Sequence, residues 1–226
     1  MTENGQPGES RLLREFFVGL SLSCVAAFED IQASHRCPPG ALPADGMAEW
    51  SRAKLMTPIN SESEARRFQN LASEMTTNGY EFSTEWIRRR GWKVVPVEDG
   101  NHFALEDIMA LVPALQRAGY LECFVTATEP LGDLPACYIM SITEEGFRKF
   151  NAECGLFRYI VMDEARSWAI SCNEWYNLLA ADPTLLESML GRSIESARQE
   201  SLNFATQLSK QPDEPLIRVA RHYAEL

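Results

Sequence analysis

The sequence predicts an α+β protein, with a helical N-terminal half packed against an antiparallel sheet of about four to five strands. Two patterns carry this. Before residue 119 the apolar residues recur at three- and four-residue steps between capping signals, the mark of core-packed helices. From Tyr120 onward, strand-length apolar runs come in pairs around turn-rich segments and are followed by helical stretches, an order of ββαββαα. The composition agrees: 45% hydrophobic, 23% charged and 10% aromatic over 226 residues is that of a globular chain long enough to bury a core without staples.

Residues 1–9 are rich in Gly, Pro and polar groups and read as a disordered tip. Over residues 11–31 an Arg11/Arg14 pair precedes an apolar run in the manner of a signal peptide. Glu9 and Glu15 on the basic side oppose that reading, and the stripe Leu13, Phe16, Phe17, Leu20, Cys24, Ala27, Phe28 and Ile31 suits an amphipathic helix. Residues 37–46 form a long proline-glycine loop. Ser61 and Glu64 make a capping box for a helix closed by Asn78-Gly79, and Ser83 or Thr84 caps a shorter helix ended by Gly91. Residues 92–97 read as a strand that Pro96 places at an edge. The segment 105–118 is a helix with a bend or restart at Pro113.

In the C-terminal part, 121–128 and 136–142 form one hairpin, and Thr143 caps a helix with Glu144 and Glu145 in its first turn. Residues 157–162 and 167–172 form a second hairpin across Asp163-Glu164-Ala165-Arg166. Asn173 then caps a helix through Ala181, Asp182-Pro183 starts another, and after Gly191 Ser193 caps the last long one. The simplest packing puts all helices on one face of the sheet. The organisation is thus a tip at 1–9, a mainly helical region at 10–119 and an α+β region at 120–226, expected to form one compact unit.

The formal charge is −11, with 11 basic and 14 acidic side chains in residues 1–100 and 10 and 18 in residues 101–226. Such a balance disfavours nucleic acid, whose binding draws on clustered Lys and Arg, and favours a basic protein partner. Arg88-Arg89-Arg90 between Trp86 and Trp92 is the one basic-aromatic cluster, and an intramolecular role for it fits the acidic background. No run is long enough to span a membrane. Cys24, Cys37, Cys123, Cys137, Cys154 and Cys172 sit largely in apolar runs without a Cys-x-x-Cys pair, as expected of reduced core thiols in a cytoplasmic protein.

Chemical motifs are missing. There is no Gly-x-x-x-x-Gly-Lys, Gly-x-Gly-x-x-Gly or Gly-x-Ser-x-Gly, and Ser51-x-x-Lys54 lacks the Lys-Thr-Gly that completes an acyl-enzyme site. No cofactor and no metal is expected. An enzyme would have to assemble a dispersed site from His102, Glu106, Asp163 and Cys154. The leading expectation is therefore a non-enzymatic, acidic protein-binding module, an inhibitor or immunity-type protein. Its contacts are expected at Asp163, Glu164, Glu98, Asp99 and Trp175, carboxylates at exposed turns beside an aromatic anchor. The alternatives are the dispersed enzyme and a subunit of a larger assembly, and the sequence leaves the oligomeric state open.

Overall fold

The computed structural model describes residues 55–226, apart from Asp99, Asn101, Asp133, Leu156, Lys210, Pro212 and Asp213, within the unit Trp50–Leu226. The tip, the helix expected over 11–31, the loop at 37–46, Cys24 and Cys37 lie outside the described residues, as does Asp99.

The fold is a mixed α+β architecture around one antiparallel sheet. Its strands are β1 (Met56–Pro58), β2 (Lys93–Val97), β3 (Glu122–Ala127), β4 (Cys137–Ser141), β5 (Tyr159–Met162), β6 (Trp168–Cys172) and β7 (Asn177–Ala181), in the order β1-β4-β3-β5-β6-β7-β2. The helices are α1 (Glu62–Met75), α2 (Thr84–Arg90), α3 (Leu105–Arg117), α4 (Glu144–Cys154), α5 (Pro183–Leu190), α6 (Ile194–Leu208) and α7 (Pro215–Ala224).

Local cap chemistry places most helix ends. Ser61, Ser83, Thr143, Asp182 and Ser193 each accept a backbone N–H from the first turn of the following helix, and Gly91 and Gly191 close α2 and α5 in the left-handed conformation. α1 ends at Met75, three residues before Asn78, and Asn78 Oδ1 instead accepts from Tyr80 N at 3.3 Å and Glu81 N at 2.8 Å. α3 runs through Pro113 as one helix.

Three expectations are corrected. The sheet has seven strands, not four or five. Residues 173–181 are not a helix: 173–176 is a turn and β7 follows, so the C-terminal half reads ββαβββααα. Helices also cover both faces of the sheet, not one. Tyr159, Val161, Trp168, Ile170 and Leu179 point to a core with α3, α4 and α5. Ile160, Met162, Ala169, Leu178 and Ala180 point to a second core with Phe68 of α1, Ile87 of α2 and Tyr223 of α7. Because both sides of a strand are then dry, β7 reads Asn-Leu-Leu-Ala-Ala without alternation and imitates a helical segment.

Neither edge invites another strand. β1 is three residues long, and its Pro58 has no N–H. β2 is the other edge, as its proline implied, and Arg198 of α6 donates to the Val94 carbonyl through Nη2 at 3.2 Å and Nε at 3.4 Å. The arginine cluster works inside the molecule: Arg90 Nη2 donates to the carbonyls of Ala165, at 3.0 Å, and Arg166, while Arg89 and Arg166 stand 4.8 and 4.7 Å from the Trp86 ring. α2 thereby holds the tip of the β5–β6 hairpin.

Candidate functional site

Strand order sorts the expected contact residues to opposite ends of the sheet. The β5–β6 tip, with Asp163 and Glu164, lies at one end. The β6–β7 turn with Trp175 lies at the other, beside Glu98, because Val97 pairs with Asn177. Along β6 the two ends are about 15 Å apart. The four described residues, Asp163, Glu164, Glu98 and Trp175, therefore form no single patch.

At the hairpin end, Asp163 is only 7% exposed and belongs to the turn itself. Its Oδ1 accepts from Ser167 N at 2.6 Å and Trp168 N at 3.1 Å, and Arg166 reaches φ 54° to close the loop. The expectation of an exposed Asp163 is thus corrected: two consecutive amides need an acceptor there, and this carboxylate supplies it. Glu164 is exposed and ion-pairs with Arg67 of α1.

The other end has more chemistry. Asn173 is buried, and its Oδ1 accepts from Trp175 N at 3.0 Å and Tyr176 N at 3.4 Å, an Asx turn that sends Tyr176 inward and leaves Trp175 59% exposed. The main chain at Gly100 lies so close that a Cβ would come within 2.5 Å of Asn173 O and Trp175 N. Only glycine permits this contact. The neighbouring His102 holds Gly100 O at 3.0 Å with Nδ1, and its own carbonyl accepts from Asn177 Nδ2 at 2.7 Å. Trp175 therefore projects from a braced turn.

Next along the same end, Arg158 grips Glu174 with two bonds, Nε to Oε2 at 2.9 Å and Nη2 to Oε1 at 2.5 Å, and stands 5.0 Å from the Tyr80 ring. That side-chain bond holds the Glu174 carboxyl below its usual range against partial desolvation. A depressed folded-state value means the pair supports the turn at neutral pH, and this support fades as the pH falls through the carboxylate range. Arg158 N also donates to Glu129 Oε1 at 3.0 Å, tying the β3–β4 loop to the turn.

Two clefts flank this line. One, of about 630 Å³, lies between α1 and the β3–β4 loop and contains Glu129. The other, of about 220 Å³, is lined by Glu98, Glu106, Asp107 and Glu200, with Arg192 the one cation among its described lining residues. Arg192 pairs with Glu200 at 3.1 Å. Leu105 and Met109 are exposed on α3 nearby, at 45% and 66%. Carboxylates outnumber cations among the described residues of this second cleft.

The residues weighed for a dispersed enzyme site do not converge. Asp163 is at the far end, and Cys154 is fully buried with its thiol pushed up to about 11, chiefly by burial. Cys123, Cys137 and Cys172 are likewise buried thiols raised by desolvation, away from the thiolate form that reacts. Among the described residues no group of three or more His, Cys, Asp or Glu could hold a metal ion, and no helix is long and apolar enough to cross a membrane. Sequence reasoning picked out Trp175 and Glu98 but missed Glu129, Arg158 and Glu174. Their only signal was a carboxylate in a turn-rich segment and the Glu174-Trp175 adjacency.

The fold and this end define a seven-stranded α+β protein with an acidic, aromatic-tipped loop surface. Comparison with protein-family models, curated proteins and solved structures finds no match for the chain.

Proposed function

We propose that the chain is a non-enzymatic protein-binding module that engages a basic protein through the Trp175 end of its sheet, as an inhibitor or immunity-type protein would. The observation that carries this is Trp175, a large aromatic 59% exposed on a turn fixed by Asn173, Gly100 and the Arg158–Glu174 pair. A tryptophan presented on a rigid element loses little freedom on binding, which is how interface anchors gain their energy. The neighbouring carboxylates Glu98, Glu106 and Asp107 supply steering toward a cationic surface. With both sheet edges blunted, contact through side chains and loops is the available mode.

Capture of partners from the native lysate by the tagged chain tests this. The wild type is expected to retain a basic protein at low salt and release much of it at high salt. Trp175→Ala is expected to weaken capture by at least about thirtyfold, a hot-spot loss of about 2 kcal/mol. Glu164→Ala, at the opposite end, should leave it unchanged. Equal capture by wild type and Trp175→Ala would refute the reading.

A further inference from the structure

We infer that the cleft between α1 and the β3–β4 loop seats a lysine side chain of the basic partner, its ammonium against Glu129. The inference rests on the binding role proposed above and adds the group that is recognised. At about 630 Å³ the cleft has the size of a ligand site and room for a lysyl residue with its neighbours.

The polar lining decides the chemistry. Ser73 Oγ donates to Gln69 O at 2.9 Å, Thr76 Oγ1 to Ala72 O at 3.1 Å and Thr128 Oγ1 to Arg158 O at 3.4 Å. A hydroxyl has one proton, so these three residues have only lone pairs left to offer a ligand. Glu129, the sole formal charge among the described residues of the lining, uses Oε1 for Arg158 N and keeps Oε2. Gln69 adds an amide that gives and accepts alike. Leu131 and Leu134 supply an apolar wall, with Leu134 48% exposed. The complement of such a surface is a head with donors only on an aliphatic stem.

Lysine fits this better than arginine. The ammonium has three divergent donors for scattered acceptors, whereas a guanidinium is best matched by both oxygens of one carboxylate, and here Oε1 is already engaged. The methylene stem lies along the leucines while the head stays with Glu129. The cleft also adjoins Trp175 through Arg158, whose backbone bonds Glu129 and whose side chain bonds Glu174. One partner surface can reach both.

The test titrates the ¹⁵N-labelled full chain with acetyl-Gly-Lys-Gly-amide, its Nε-acetylated form, the arginine counterpart and 1,5-diaminopentane, following amide shifts. The lysine peptide is expected to shift the amides of Thr76, Gly79, Thr128, Glu129, Leu131 and Gly132 saturably, with a Kd on the order of millimolar. Acetylation should abolish the effect, and Glu129→Gln should weaken it about fivefold or more while the remaining spectrum stays native. Shifts that are absent, located elsewhere, equal for the acetylated peptide or stronger for the arginine peptide would overturn the inference. Tighter binding of the diamine than of the peptide would assign the cleft to a free amine and overturn the partner side chain as occupant. Should the peptide fail while Trp175-dependent capture persists, this inference falls alone; loss of that dependence removes the binding role itself.

Discussion

Gly146→Ala is expected to destabilise the protein by about 1–3 kcal/mol, against the rule for helices. Gly146 is the third residue of α4, where alanine is ordinarily better than glycine by about 1 kcal/mol. Here an alanine Cβ would stand 2.1 Å from the Ser141 carbonyl oxygen and 3.2 Å from its carbon, both backbone atoms. Ser141 cannot easily withdraw, because it ends β4, its N–H bonds Leu55 O at 3.0 Å and its oxygen accepts from Thr143 N at 2.9 Å. Overlap with a fixed backbone outweighs propensity. Thermal unfolding should show Tm lower by roughly 2–12 °C. An unchanged or higher Tm would mean that the β4–α4 junction is looser than this contact requires.

The second large effect concerns two neighbouring carboxylates with opposite roles. Asp163→Ala is expected to cost about 2–4 kcal/mol, since it leaves the half-buried Ser167 amide and the buried Trp168 amide without their acceptor. Glu164→Ala should cost about 0–1 kcal/mol, because its pair with Arg67 is more than half exposed on both sides. Partner capture below the unfolding transition should be the same for both variants and the wild type. Denaturant titration decides the stability claim; comparable losses for the two residues would contradict the turn-acceptor role of Asp163.

What the sequence revealed was local, and what it hid was long-range. Ser83 and Gly91 bracket α2, Asp182-Pro183 starts α5 and Pro96 lies on an edge, all from chemistry within a few residues. β7 was hidden because coverage of both sheet faces removes the alternation that marks a strand, and Leu and Ala are good helix formers. β1 is too short to leave a pattern. The site divided in the same way. An exposed member of the Trp175-Tyr176 pair was legible, since neighbours on a chain diverge. Which end of the sheet holds each turn was not, and that is why Asp163 and Glu164 were grouped with residues about 15 Å away. Arg158 and Glu129 become part of the site only once β3 and β5 pair.

The most direct test of the binding surface is hydrogen exchange on the full chain, alone and in complex with the captured partner. Protection gained at the 173–176 turn and over 128–132, with the 163–167 hairpin tip unchanged, is the result this structure predicts. Protection centred on 163–167, with the Trp175 turn exchanging as in the unbound protein, would contradict it.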